Sequence, residues 1–265
     1  MIHGWYPNPL IDEVLYAPKG KYQVGGLAIG ILAVDGLWNP LVPGAVHNAS
    51  TWNFPVHYKV VKQTAEWKLL NLGAEGDQFS ARVCDDVIAG AKELEDLGVR
   101  AISGGCGFLA DFQKAVAASV NIPVYLSALC QINWIKPTLK QGQKLGIMTA
   151  ASDSLVPRVF EQVDVHDVSD IVIIGTEDCG EFRNIRGTTQ TGHFNPSKVE
   201  KDIANLAKQW VRDNPSIAAI LLECSSLPPY AWAIQNVTDR PVFDYYTLIQ
   251  WLYHAVVRRP FSGCY

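Results

Sequence analysis

The sequence predicts an α/β protein with parallel sheets, built from two copies of one unit that face each other across a cleft. Three observations carry this. Short apolar runs alternate along the chain with stretches of helical periodicity, the order of parallel strands joined by right-handed crossovers. Two of those runs end in cysteine, Ala101-Ile-Ser-Gly-Gly-Cys106-Gly-Phe-Leu-Ala110 and Ala218-Ala-Ile-Leu-Leu-Glu-Cys224-Ser-Ser-Leu-Pro-Pro-Tyr230, and each cysteine stands seventeen residues before a Pro-Val pair, at Pro123 and Pro241. A Gly-Ile strand precedes each of them, Gly30 by 76 residues and Gly146 by 78.

Taken in order, residues 1–24 are aromatic, weakly periodic and rich in proline, and read as an N-terminal extension lying over the body or a neighbouring subunit. Gly26 to Val34 is nearly unbroken apolar sequence, the mark of a strand buried on both faces. It stops at Asp35-Gly36, and the proline-rich stretch through Pro55 predicts a long ordered loop of the kind that serves function. Val56 to Val61 is β-branched and partly alternating, an edge strand. Phe79, Val83, Val87, Ala91 and Leu94 give the spacing of an amphipathic helix over 78–97, with Asp77 as its N-cap and Gly98 as its stop.

A strand over 99–103, a helix over 108–120 and a strand over 123–127 then repeat the alternation. A helix over 129–140, imperfect at Pro137, precedes a strand over 144–150. A helix to about Gln162 and a strand over 171–175 come next, and 178–193 takes no regular assignment. Pro196 at a helix start introduces a helix to Asp213 with Val199, Ile203, Leu206 and Trp210 on its buried face. A strand over 217–222, a helix over 229–236, a strand over 242–245 and a helix over 247–258 finish the chain.

Lys plus Arg number 22 against 26 Asp plus Glu among 265 residues, so the basic footprint of a nucleic-acid binder is missing. No apolar stretch approaches the length of a membrane span, and the first residues lack the pattern of a signal peptide. The expectation is a cytoplasmic protein with neither nucleic acid nor membrane as partner. Six scattered cysteines without a CxxC pair fit neither a disulfide framework nor a zinc site. Cys84 and Cys130 read as small buried hydrophobes, and Cys179 and Cys264 as exposed. Gly-x-Gly-x-x-Gly is absent, which argues against a nucleotide loop.

Cys106 and Cys224 therefore fall at the carboxyl ends of strands, where ligands of open α/β sheets bind and where helix N-termini favour a thiolate. Gly104, Gly105 and Gly107 let backbone amides approach a carboxylate, and Ser225 and Ser226 add hydroxyls on the second side. Two thiols across a cleft can move a proton on carbon: one thiolate removes it from one face and the other thiol returns one to the opposite face. Amides and hydroxyls aimed at the substrate carboxylate would stabilise the carbanion-like state, and this chemistry needs neither metal nor organic cofactor.

These motifs resemble the aspartate/glutamate racemase superfamily, which includes hydantoin racemases, maleate isomerases and arylmalonate decarboxylases. The resemblance covers the Gly-Ile-Leu strand ending at Asp35, Ser-Gly-Gly-Cys-Gly-Phe-Leu, and Leu-Glu-Cys-Ser-Ser-Leu-Pro-Pro-Tyr with the later Pro-Val-Phe-Asp244. It implies two pseudo-symmetric Rossmann-like (flavodoxin-like) subdomains, 25–129 plus 247–265 and 130–246, with the last helix returning to the first. It further implies Cys106 and Cys224 as acid/base residues, Asp35 as the acidic residue beside substrate, Thr149 as a substrate-binding position, and a homo-oligomer. Amino-acid racemases commonly have Cys-Asn-Thr at the first cysteine, whereas Gly107 and Phe108 stand here. Cys-Gly-Phe with Glu-Cys-x-x-Leu-Pro-Pro-Tyr is also similar to the dimethylsulfoniopropionate lyases of this superfamily.

The reading that follows is a cofactor-independent racemase or epimerase of a small carboxylate or amino-acid-like substrate. The alternatives are a lyase or decarboxylase on the same scaffold and a non-catalytic binding protein. Tyr230 is a candidate hydrogen-bond donor to substrate, and His47 and His57 are candidates for touching it. Trp38, Trp52 and Phe54 could line the pocket or cover the first sheet.

Overall fold

A computed structural model of the chain describes residues 25–37, 39–62, 64, 69, 77–185, 189–259 and 261. The expected N-terminal extension, Trp38 and Cys264 lie outside the described residues. Strands β1 (Ile29–Val34), β2 (Val56–Val61), β3 (Ala101–Gly104) and β4 (Val124–Tyr125) form one sheet in the order β2-β1-β3-β4. Strands β5 (Lys144–Thr149), β6 (Ile171–Gly175), β7 (Ile217–Leu222) and β8 (Val242–Phe243) form the other in the order β6-β5-β7-β8. Every pairing is parallel, and the two orders are the same when each sheet is counted from its first strand. The repeat in the sequence is thus a repeat in topology.

The helices are α1 (Asp77–Asp96), α2 (Gln113–Ala117), α3 (Ile132–Ile135), α4 (Pro157–Gln162), α5 (Pro196–Asp213), α6 (Ala231–Thr238) and α7 (Tyr245–Val256). All six residues of β1 are buried, as an apolar run covered on both faces requires. α1 places Val83, Val87, Ala91 and Leu94 in the core. α5 starts at a cap, where the Asn195 side chain accepts the Lys198 N–H at 3.1 Å, and it buries Val199, Ile203, Ala207 and Trp210. α7 begins in a capping box: the Thr247 N–H donates to Asp244 Oδ1 at 2.8 Å and the Asp244 N–H to Thr247 Oγ1 at 2.9 Å. That box moves the boundary, so β8 ends at Phe243 and Tyr245 is helical. Among the described residues no helix is long and apolar enough to cross a membrane.

Two expected helices are shorter and tighter than their sequences predict. The stretch after Cys106 runs as a 3-10 turn, Gly107–Phe112, before α2. The stretch over 128–138 is 3-10, then α3, then 3-10 again at Lys136–Thr138, where Pro137 lacks the N–H that a continuing helix needs. The segment left unassigned at 178–193 contains a 3-10 turn over Gly180–Ile185.

The two sheets are joined by a shared core. Leu145, Ile147, Ala219 and Leu221 of the second sheet belong to the same apolar cluster as Leu109, Leu129 and Phe160. Arg158 forms a two-pronged bond to Asp111, Nε to Oδ1 at 3.0 Å and Nη2 to Oδ2 at 3.1 Å. The Asn133 side-chain amide donates to the Val163 carbonyl at 2.8 Å. α7 closes the first sheet, with Leu248, Ile249 and Leu252 buried and the Tyr245 hydroxyl donating to the Leu126 carbonyl at 3.0 Å.

Candidate active site

The carboxyl ends of β1, β3, β5 and β7 border one narrow cavity. Its lining includes Cys106, Gly107 and Phe108 from the first half and Glu223, Cys224, Ser225 and Ser226 from the second. The matched cysteines therefore line one cavity, each nearly enclosed, at 7 % and 8 % exposure. They are reached by equivalent strand ends. The Gly105 N–H donates to the Leu32 carbonyl at 2.8 Å, and the Glu223 N–H to the Met148 carbonyl at 2.9 Å, so each cysteine leaves its sheet one residue after a matching ladder bond.

Neither cysteine starts an α-helix. Cys106 precedes the 3-10 turn and its side chain caps nothing there, while a turn closed by the Leu227 N–H on the Cys224 carbonyl at 3.0 Å follows the second. The expected macrodipole of a full helix is accordingly replaced by the local N–H groups of tight turns.

Glu223 is the residue that the sequence reading passed over. It is completely buried, and its Oε2 accepts the Thr149 hydroxyl at 2.7 Å. A β-carbon on residue 107 would overlap Glu223 Oε1, so glycine after Cys106 makes the space in which the carboxylate sits. The signal available in the sequence was a charged residue closing the otherwise apolar run Ile217–Leu222. Tyr245 lies behind this group. Burial raises its hydroxyl well above its ordinary range, and the charges of Cys106 and Glu223 push it further.

Thr149 thus supports the cavity from behind through Glu223, and its own carbonyl accepts the Thr176 hydroxyl at 3.1 Å. Asp35 is half-buried between the lining residues Val34 and Leu37, and its N–H donates to Thr64 Oγ1 at 3.3 Å. Tyr230 does not reach the lining. The turn Pro228–Tyr230 carries it into the second apolar cluster, where burial, with Glu200 nearby, raises its hydroxyl.

The long loop after β1 crosses to the second half. The Val46 N–H donates to the Ser225 carbonyl at 3.3 Å, and Gly44 packs on Pro229. Trp52 Nε1 donates to the Tyr58 hydroxyl at 3.0 Å, which donates to the Val46 carbonyl at 2.8 Å. His47 is wedged against Gly105, and burial lowers its pKa to about 4, which keeps the ring neutral at pH 7. His57 sits on edge strand β2, outside the lining. Trp52 and Phe54 cover the first sheet: Trp52 stacks on Tyr246 at 5.8 Å between centroids, and Phe54 on Tyr253 at 3.8 Å.

The other described thiols stand apart from this cavity. Burial pushes Cys130 up to about 12. Cys179, expected to be exposed, is buried by the packing of the Gly180–Ile185 turn on α5, and burial with the nearby Asp202 raises it to about 11. Cys84, expected to be buried, is only half-buried on α1.

No family model matches the chain. It is 28 % identical over 243 residues to dimethylsulfoniopropionate lyase 5 of Emiliania huxleyi, covering 89 % of this chain and 47 % of that protein. It is 27 % identical over 251 residues to the dimethylsulfoniopropionate lyase of Durusdinium sp. clade D, covering 93 % of this chain and 81 % of that one. The chain thus spans about half the length of the first relative and most of the second. Among solved structures, a sulfate-associated variant of arylmalonate decarboxylase superposes with a TM-score of 0.55 at 16 % identity, over 86 % of this chain and 92 % of that one. A glutamate racemase from Bacillus anthracis gives 0.51 at 14 %, over 86 % and 82 %. An aspartate racemase homologue from Pyrococcus horikoshii gives 0.51 at 18 %, over 86 % and 98 %. The resemblance to the aspartate/glutamate racemase superfamily is borne out in the fold, and the resemblance to the dimethylsulfoniopropionate lyases in the sequence.

Proposed function

We propose that the chain is a lyase that removes a proton next to a carboxylate, with Cys106 and Cys224 as its acid/base pair. The observation that carries this is that two cysteines from matching strand ends line one cavity. One thiolate takes the proton on the carbon beside the carboxylate. The electron pair of that C–H bond forms a carbon–carbon double bond, and the leaving group departs from the adjacent carbon with its own bonding pair. In this reading the Ser225 and Ser226 segment and the turn amides after Cys106, which line the same cavity, receive the substrate carboxylate. Relatives named as dimethylsulfoniopropionate lyases support elimination over the inversion that the sequence alone favours.

Racemisation is the second reading, and the equivalence of the two strand ends favours it, because it offers one thiol to each face of a carbon. Proton NMR in deuterium oxide over small sulfonium acids, amino acids, hydantoins and arylmalonates separates the two. Elimination gives an olefinic acid and a released leaving group. Racemisation returns substrate carrying deuterium beside its carboxylate, with no olefin. If no compound in the panel exchanges or reacts, proton abstraction next to a carboxylate is wrong.

A further inference from the structure

We infer that His47 is a positioning residue for Cys106: carried by the loop after β1, its ring takes the side-chain space of residue 105 and, with its proton on Nε2, fixes and polarises the strand end that bears the thiol. This rests on the reading of Cys106 as an acid/base residue. Cys106 stands between two glycines, and the side-chain space of each is filled from elsewhere in the chain. A β-carbon on residue 105 would overlap His47 Nε2, as one on residue 107 would overlap Glu223 Oε1. Cys224 has no such bracket, since its neighbours Glu223 and Ser225 carry side chains of their own. Gly105 lines the cavity and His47 does not, so the ring acts through the backbone that leads into Cys106.

The ring is held there by a braced loop. Val46, its neighbour, is fully buried, donates its N–H to the Ser225 carbonyl at 3.3 Å and accepts the Tyr58 hydroxyl at 2.8 Å. The Thr51 hydroxyl accepts the Gly44 N–H and donates to the Ala45 carbonyl, both at 2.9 Å. Two consecutive residues thus touch both cysteine turns, Val46 the residue after Cys224 and His47 the residue before Cys106. Filling space does not account for an imidazole in this place. Its Nε2 is buried with no hydrogen-bond partner among the described residues, a cost that an apolar side chain of similar bulk would avoid. The ring is neutral at pH 7, so it acts on the strand end by its shape and by the dipole of its N–H, whose positive end faces the peptide before the thiol and favours the thiolate.

The test follows alkylation of Cys106 and Cys224 by iodoacetamide against pH in the full chain, read by peptide mass spectrometry. His47→Leu, which keeps the bulk and loses the nitrogen, should raise the midpoint of the Cys106 profile by at least about half a pH unit and leave that of Cys224 within about 0.2 of wild type. His47→Gln, whose amide nitrogen reaches the same place, should keep the wild-type midpoint. Gly105→Ala, which pushes the ring away from the cavity side, should reproduce the His47→Leu shift, and it decides the matter if His47→Leu fails to fold. Asp35, Glu223 and Tyr245, the other titratable groups described around the cavity, are the same in every variant, so a shift belongs to the 47–105 contact. An unshifted Cys106 in His47→Leu, a His47→Gln profile that matches it instead of wild type, or a shift that Cys224 shares overturns the inference. Alkylation needs no turnover, so the expected shifts without proton exchange on any substrate would sink the lyase reading alone. Elimination by a protein whose Cys106 ignores residue 47 would sink this inference alone.

Discussion

Gly105 and Glu223 occupy the same place in the two halves: each donates its N–H to the carbonyl of a neighbouring first strand, Leu32 at 2.8 Å and Met148 at 2.9 Å, immediately before a cysteine. The scaffold is symmetric and the chemistry hung on it is not. One half presents a glycine against which His47 rests, and the other presents a buried carboxylate.

Whichever of Cys106→Ser and Cys224→Ser replaces the thiolate that takes the proton should slow proton removal by at least about a hundredfold, since a hydroxyl is a far poorer base than a thiol at neutral pH. Deuterium incorporation and product formation, followed side by side, provide the measurement. Two fully active single variants would remove both cysteines from the mechanism.

Gly107→Asn should destabilise the fold by about 1–3 kcal/mol, because a β-carbon at 107 meets both the carboxylate and the backbone carbonyl of Glu223. Thr149→Val should cost about 1–3 kcal/mol by leaving Glu223 Oε2 without the hydroxyl that faces it. Urea unfolding midpoints report both. A Gly107→Asn protein as stable as the wild type would show that the 107–223 contact is loose.

Tyr58→Phe should loosen the loop after β1, since the lost hydroxyl is the link between Trp52 and the Val46 carbonyl. The expected loss is about 1 kcal/mol of stability. Alkylation of Cys106 by iodoacetamide, read by peptide mass spectrometry, should become several-fold faster if that loop shields the cavity. An unchanged rate would mean that shielding comes from elsewhere.

The stability profile between pH 4 and 6.5 contains two opposed contributions. Burial lowers His47 from 6.5 to about 4, so the folded chain resists a proton that the unfolded chain accepts, and stability falls as pH drops through this range. Burial raises Asp244 from 3.8 to about 6, despite the hydrogen bonds from Thr247 and Tyr246, so its contribution is full below about 4 and is lost as pH rises through 6. Each amounts to no more than about 3 kcal/mol. His47→Gln should gain stability relative to wild type as pH falls from 6.5 to 4, and Asp244→Asn, which keeps a capping side chain, should lose it. Unfolding midpoints at four pH values suffice, and parallel profiles for all three proteins would contradict both assignments.

Much of the architecture was legible because it is written in periodicities. The strands of both sheets, the amphipathic faces of α1 and α5, and the matched spacing of Cys106 and Cys224 follow from residue order alone. What escaped depends on contacts distant in sequence. Glu223 looked like part of a motif, and its meaning lies in a glycine from the other half. Tyr230 follows a cysteine motif, and only the structure shows that the Pro228–Tyr230 turn buries it in the second core. The segments after Cys106 and Leu129 have helical composition, yet proline and short span hold much of each in 3-10 geometry. Trp52 and Phe54 were ambiguous until α7 placed Tyr246 and Tyr253 under them.

The strap from β1 to Ser225 bears on how the repeat can be taken apart. The cysteine turn of the second half is finished by a backbone bond to Val46 and by the packing of Gly44 on Pro229, both contributed by the first. Glu223 in turn needs the bare Gly107 of the first half. Each copy supplies a part that the other lacks, so the two units are no longer interchangeable modules. A half expressed by itself, or a tandem of either half with itself, would reproduce a sheet but leave its thiol in an unfinished pocket.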